Sequence, residues 1–343
     1  MWPISSATCP FRSAWSLSCR ACARSRSLSA ISRRPLKTLA FTCGDPAGVG
    51  PQTVIAALRA RALPADVAPV LVGESSVWRR AGWRSTDGPI RDTSLGLKPP
   101  PPGVAGAVGG RLSAAAFEEA LRLVAQGLAA GIVTAPISKE SWAAAGYPWR
   151  DHTQRLEACG QDGAEMVLGV PSRGLWCALA TRHLSLKEAV RRVGAREISS
   201  AARALASALR RLGKPRPRLA LCALNPHGGE QGLIGREEGE RLAPAAAALR
   251  RRGLLLDGPL PADSAWRLHC EGAYDGLVCL YHDQALIPLK VAGGLGGVNW
   301  TMGPPFVRVS AAHGAAWDAA RFGVADASGM IEAARLAARL LSL

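Results

Sequence analysis

The sequence predicts an α/β fold with a mostly parallel sheet. Two observations carry that expectation. Short apolar runs alternate with longer segments of helical period along the chain. The chain also has 343 residues, 48% hydrophobic and 20% charged, enough for one large or two medium domains with an ample core. That composition excludes disorder throughout. No run of 18 apolar residues occurs, which argues against a membrane-spanning helix. The longest uncharged stretch, around Leu123 to Ser138, is broken by Gln126, two glycines and Pro136.

The elements follow in order. Strand-like runs are expected at Lys37–Thr42, Val67–Gly73, Gly131–Ala135, Ala164–Gly169, Leu175–Thr181, Pro217–Leu224 and Asp275–Tyr281. Helices are expected at Gln52–Ala62, Leu112–Ala130, Leu186–Leu212, Arg236–Arg252 and Ile331–Leu341. In Leu112–Ala130 the residues Phe117, Leu121, Val124 and Leu128 recur at three- and four-residue steps and form one helix face. Lys98–Gly110, with four consecutive prolines and several glycines, reads as a surface loop.

Charge is distributed unevenly. Lys and Arg total 42 against 26 Asp and Glu, a formal +16, which first suggests nucleic acid. Yet residues 1–37 carry seven basic groups and no acid, leaving 35 basic and 26 acidic groups in the body, a net +9. With aromatics at 5% and no basic stripe, a nucleic-acid partner is not expected. The leader is Ser- and Arg-rich and lacks the apolar core of a secretory signal. It reads as an upstream extension of the reading frame, with an organellar transit peptide as the alternative. Of nine cysteines, Cys9, Cys19 and Cys22 lie in the leader, and Cys19 and Cys22 form an isolated pair without zinc-site partners. Cys43, Cys159, Cys177, Cys222, Cys270 and Cys279 read as small core residues in a reducing compartment.

Ligands of open α/β sheets collect at the carboxyl ends of strands. Three of the six histidines stand there: His183, His227 and His282 each closely follow a strand-like run. If those strands are parallel neighbours, the three imidazoles face one crevice and suit a divalent ion such as Zn, Co, Ni or Mn. Three unconnected surface histidines are the alternative. The turn Gly44 to Gly50 precedes a helix and reads first as a plain strand-turn-helix link; it could admit an anion, though it matches neither dinucleotide nor P-loop patterns. Lys290, Asn299 and Arg308 flank a glycine run and could wrap a phosphate. His152 and Thr153 could contact a polar ligand, or Thr153 could cap the next helix.

Together these pieces resemble the 4-hydroxythreonine-4-phosphate dehydrogenase family. Eight motifs occur in order from about Leu39 to Leu341: GDPAGVGP (44–51), TAPISKE (134–140), HT (152–153), ATRHLSL (180–186), LNPHGGEQGLIGREE (224–238), GPLPADS (258–264), YHDQALIPLK (281–290) and GVNWTMGPPFVRVSAAHGAA (297–316). The resemblance implies two α/β/α domains in an isocitrate/isopropylmalate dehydrogenase-like fold. The expected division is a first domain of 38–135 plus 285–343 and a second of 136–284, after the 1–37 leader. It also implies one divalent metal ion (Zn, Mg, Co or Mn) on His183, His227 and His282, and substrate contacts from His152, Thr153, Lys290, Asn299 and Arg308. NAD or NADP would bind without a Rossmann fingerprint, at residues the resemblance does not assign. Lys139 and Asp263 are implied candidates for proton handling. The implied protein is a cytoplasmic homodimer with its active site at the interface, acting on a small phosphorylated hydroxy acid. The implied reaction is metal-dependent oxidation of 4-phosphohydroxy-L-threonine, then decarboxylation to 3-amino-2-oxopropyl phosphate, in pyridoxine biosynthesis. Departures point to an alternative. Asp151 and Gln154 flank the HT pair where many relatives carry Gly and Glu, and Pro136-Ile137-Ser138 replaces the Pro-Val-His of some members. Related enzymes that oxidise D-threonate or D-erythronate 4-phosphate are therefore the second expectation.

Overall fold

A computed structural model describes residues 37–158 and 164–343. The leader through Pro35 and Leu36, with Cys9, Cys19 and Cys22, and also Cys159, lie outside the described residues. The chain divides into two compact units, Met1–Asp162 with Pro304–Ser342, and Gly163–Gly303. These boundaries differ from the expected 135/136 and 284/285. The helices Lys139–Ala144 and His152–Glu157 place Trp142 and Leu156 in the first unit's core, and the helix His282–Gly293 places Leu286 and Leu289 in the second unit's core. Among the described residues no helix is long and apolar enough to cross a membrane.

The first unit contains β1 (Lys37–Thr42), β2 (Val67–Val72), β3 (Ile90–Arg91), β4 (Gly131–Thr134) and β11 (Val307–Ala311), in the order β3-β2-β1-β4-β11 and all parallel. The second contains β5 (Glu165–Val170), β6 (Leu175–Leu179), β7 (Leu219–Cys222), β8 (Leu256–Leu260), β9 (Gly276–Cys279) and β10 (Val298–Met302), in the order β10-β5-β6-β9-β7-β8. There β10, β5 and β6 pair antiparallel, and β6, β9, β7 and β8 pair parallel. All seven expected strands form. The sequence reading missed the two-residue β3, the Gly-Pro-containing β8, and β10 and β11, which follow a glycine run that reads as a loop.

Helices differ from expectation for identifiable reasons. The helix Ala107–Ala125 starts five residues before Leu112. Gly109 and Gly110 belong to it, because a Cβ on Gly109 would stand 2.6 Å from Asp45 Oδ1 and one on Gly110 would strike the Ser141 carbonyl. These glycines mark close packing, not the end of a loop. Phe117 and Leu121 are buried as the periodicity requires, but Leu128 lies beyond the helix end and is 59% exposed. The long helix expected over 186–212 breaks into Leu186–Arg192 and Ala195–Arg211 at Gly194. Arg241 donates to the freed carbonyls of Val190 at 3.0 Å and Arg191 at 2.9 Å, capping the first piece. The segment expected over 236–252 opens with a π-turn, Glu238–Leu242, before the α-helix Ala243–Arg251.

Cys43, Cys177, Cys222 and Cys279 are buried, whereas Cys270, at the end of the helix Ala262–Cys270, is exposed. His269 illustrates a structural histidine. Its Nε2 accepts from Trp176 N–H at 3.0 Å and its Nδ1 donates to Tyr274 O at 2.8 Å, so the ring is fully partnered only when neutral. Burial pulls its pKa below the ordinary 6.5. The unfolded chain therefore binds a proton that the folded chain refuses, and stability must fall as pH drops below about 6.5. Thermal denaturation from pH 8 to 5 checks this. His269→Phe is expected to shallow the acid-side decline.

Candidate active site

In the second unit β6, β9 and β7 are adjacent and parallel, so their carboxyl ends share one edge. His183 follows β6, His282 follows β9 and His227 follows β7. His183 and His282 come together, with ring centroids 5.7 Å apart and planes tilted by 41°. A cavity of about 300 Å³ opens beside them, lined by Thr181, Leu184, Leu186, Tyr281 and Asp283 among others. His227 stands apart in an exposed loop, its side chain 74% accessible. Among the described residues no three His, Cys, Asp or Glu side chains gather to hold a metal ion. The expected crevice thus forms with two of its three histidines.

The backbone explains the third. His227 sits at φ 51° and His183 at φ 48°, in the left-handed region that costs a non-glycine residue about 1 kcal/mol or more. Glu238, buried in the π-turn, accepts from Leu224 N–H at 2.8 Å, Asn225 N–H at 2.7 Å and Asn225 Nδ2 at 2.8 Å. It thereby fastens the start of the loop. Glu230 lies 2.7 Å from His227 Nδ1, and this hydrogen bond raises the imidazole pKa, with Asp263 adding a smaller push. Asp283 lies 2.7 Å from His282 Nδ1. Carboxylates on Nδ1 are the usual outer partners of metal-binding imidazoles, and they leave Nε2 as the ligand atom. The chemistry of these nitrogens suits a divalent ion, but only His183 and His282 stand together and His227 does not join them.

Lys290 is exposed on the helix His282–Gly293, roughly 12 Å along its axis from His282. Asn299 lies on β10 opposite Leu168, and its buried Oδ1 meets no hydrogen-bond partner among the described residues. Asp263 is exposed in the first turn of the helix Ala262–Cys270.

The first unit gathers the other expected residues. Arg308 on β11 pairs in register with Ile132 on β4, so Thr134 lies two residues further along the same face. Arg308 is only 3% exposed, and Nη2 donates to Thr134 Oγ1 at 2.7 Å and meets His152 Nδ1 at 3.2 Å. Burial lowers the guanidinium pKa to about 10, against an opposing pull from Asp151. His152 opens the helix His152–Glu157 and is 7% exposed, edge-on to Phe117 at 4.4 Å and Trp142 at 5.2 Å. Burial, then the neighbouring Arg308, holds its pKa well below 6.5. The helix cap is Asp151, whose Oδ1 accepts from Gln154 N–H at 2.9 Å, and not Thr153. Lys139 reaches Asp151 at 3.9 Å.

The sequence reading missed Thr134, Asp151 and Glu238. Thr134 ends β4, so the strand-end rule could have found it. Asp151 carries the usual N-cap chemistry. Glu238 closes the motif at 224–238, but nothing local shows that its carboxylate turns back onto Leu224 and Asn225. The Gly44–Gly50 turn is no open anion cradle. A Cβ on Gly48 would lie 2.6 Å from the Ala315 carbonyl, and one on Gly50 2.8 Å from that of Cys43. Those glycines allow backbone to pack on backbone.

Comparison with known proteins agrees with this architecture. The model of the pyridoxal phosphate biosynthetic protein PdxA family matches residues 53–337. A 4-hydroxythreonine-4-phosphate dehydrogenase of Paracoccus denitrificans is 36% identical, covering 88% of this chain and 97% of that protein. A D-threonate 4-phosphate dehydrogenase of Cupriavidus necator is 34% identical, covering 89% and 97%. The crystal structure of a Klebsiella pneumoniae 4-hydroxythreonine-4-phosphate dehydrogenase superposes with a TM-score of 0.75 at 35% identity, covering 90% and 99%. All three are dehydrogenases, and the class of this chain is an oxidoreductase. More narrowly, it belongs to the PdxA family.

Replacing Glu238 by Ala leaves two half-buried backbone donors, Leu224 N–H and Asn225 N–H, without their acceptor at the base of the His227 loop. The expected destabilisation is about 1–2 kcal/mol by urea denaturation, with faster proteolysis between Leu224 and Arg236.

Proposed function

We propose that the chain oxidises 4-phosphohydroxy-L-threonine at C3 with NAD or NADP and then releases carbon dioxide, giving 3-amino-2-oxopropyl phosphate for pyridoxal phosphate biosynthesis. The observation that carries this reading is the His183–His282 pair at adjacent parallel strand ends, beside a cavity, in a chain of the PdxA family. A bound divalent ion supplies Lewis acidity at the C3 oxygen, and a bound nicotinamide accepts the hydride. His183 and His282 would hold the ion through Nε2, with Asp283 orienting one ring. His227 would complete the ligand set across a homodimer interface. Its loop exposes Leu233 at 86%, and the His282 helix exposes Val291 at 83%, apolar surface that a second copy would cover.

The remaining chemistry belongs to side chains and substrate. Lys290 and Arg308 supply cations for the phosphate, while His152, Thr153 and Asn299 supply polar contacts. These remote contacts orient the reacting carbon. The C3 hydroxyl loses its proton as hydride leaves C3, and the resulting ketone stands β to the carboxylate. Carbon dioxide then departs, its bonding pair forming an enolate that takes a proton at carbon. Lys139 and Asp263 are the candidates for handling these protons. The reading makes the protein a cytoplasmic enzyme.

A second reading is oxidation of D-threonate or D-erythronate 4-phosphate. The Cupriavidus relative carries the first of these names at 34% identity, and Asp151 and Gln154 depart beside the HT pair. The two substrate classes differ in the amine or hydroxyl at C2.

Absorbance at 340 nm with the three phosphorylated acids, each nicotinamide and added Zn, Mg, Co or Mn tests both readings. The largest kcat/KM is expected for 4-phosphohydroxy-L-threonine. Turnover of the sugar acids alone would select the second reading, and no turnover of any would overturn both. His282→Ala is expected to abolish calorimetric binding of Zn or Co together with activity. Arg308→Ala is expected to raise KM for the phosphorylated substrate about tenfold or more, as for loss of a charge-assisted bond, and to leave a dephosphorylated analogue nearly unaffected.

A further inference from the structure

We propose that Thr134 and His152 act as a positioning pair for Arg308, with His152 locked as the neutral tautomer that accepts at Nδ1 and carries its proton on Nε2. The proposal rests on the reading above only in taking Arg308 as a substrate contact. The pairing itself stands on geometry.

A guanidinium donates hydrogen bonds and accepts none. The 3.2 Å contact between Arg308 Nη2 and His152 Nδ1 therefore requires a lone pair on Nδ1. The imidazole proton must then sit on Nε2. A second proton would set an imidazolium against a buried guanidinium, with Arg308 only 3% exposed. The direction of the His152 titration, well below 6.5 through burial and then Arg308, agrees. The ring cannot easily turn to offer another atom. Phe117 and Trp142 stand nearly perpendicular to it, at 74° and 77°.

Thr134 supplies the other half. Its side chain is fully buried, and Oγ1 accepts from the same Nη2 at 2.7 Å. The two hydrogens of Nη2 are thus committed to two acceptors on different elements, β4 and the helix His152–Glu157. That fixes the guanidinium plane. The helix is itself pinned, because Arg155 Nη2 donates to Glu118 Oε2 at 2.7 Å. Asp151 carries the nearby negative charge and is shared with Lys139.

The contrast with His269 shows why this is not another structural histidine. His269 has a partner on each nitrogen. The buried Nε2 of His152 meets none among the described residues. A donor kept in that state, on a ring whose other nitrogen holds a cation, is poised for an acceptor on a ligand.

Nitrogen-15 NMR of the histidine-labelled protein reads the tautomer directly, with His152→Asn used to assign the signal. The expected result is a neutral Nε2–H pattern for His152, unchanged from pH 8 to 6 while exposed histidines titrate. An Nδ1–H pattern, or an imidazolium at pH 6, would falsify the proposal. Kinetics test Thr134. Thr134→Val is expected to raise KM for the phosphorylated substrate about tenfold with kcat within about threefold, and Thr134→Ser to restore most of the difference. Equal KM in all three proteins would also overturn the pairing. A protein that turns over none of the phosphorylated acids yet shows the Nε2–H pattern would support the pairing and count against the functional reading alone.

Discussion

Parallel strands impose one constraint from which both clusters follow. Every strand in such a set enters at one edge and leaves at the other, so the segments after the strands collect together. In the first unit this brings Thr134 near Arg308 and the 150s helix. In the second it brings the segments after β6, β9 and β7 side by side, and with them three histidines widely separated in sequence. Hydrophobic packing beneath these edges, Phe117, Trp142 and Ile132 in one unit and Leu179, Leu277 and Leu286 in the other, keeps the strand ends in place.

The two clusters treat charge differently. In the first unit a guanidinium is buried with a hydroxyl and an imidazole nitrogen as acceptors, and the partly exposed Asp151 supplies an opposing negative charge. Burial of such a cation is costly, and it lowers the guanidinium pKa to about 10. In the second unit His227 and His282 are partly or largely exposed, and each has a carboxylate at Nδ1. There the ring nitrogens are oriented, not buried. One cluster surrounds a buried cation with neutral acceptors, and the other sets imidazoles against carboxylates at the surface.

Much of this was legible in the chain. Strand-like runs rich in Val, Ile and Leu gave seven strands correctly, because buried parallel strands are continuous apolar segments. The strand-end rule then picked His183, His227 and His282 before any geometry was known. It could not reveal that His183 and His282 meet while His227 stands away, since that depends on a left-handed turn and on Glu238, fourteen residues from Leu224. Arg308 was found, but as one wall of a glycine loop and not as a buried strand residue. Its real partners come from 174 and 156 residues away in sequence, a separation that no local pattern encodes. Glycine misled the reading at the start of the helix Ala107–Ala125, whereas the turn after β1 is the plain strand-turn-helix link that the sequence favoured. At both places glycine reports close packing, and at the helix start the sequence alone does not separate that from flexibility.

That helix start has a consequence for how the protein can change. An interior helical glycine is ordinarily an easy target for stabilisation, since alanine favours helix by about 1 kcal/mol. At Gly109 and Gly110 the rule inverts, because the first methyl group would press on Asp45 and on the carbonyl of Ser141. Displacing the helix would carry Phe117 with it, and Phe117 is the face against which His152 rests. Two positions with no side chain thus tie the evolutionary freedom of a remote helix turn to the alignment of a buried cation, and a thermostabilising screen would find them closed.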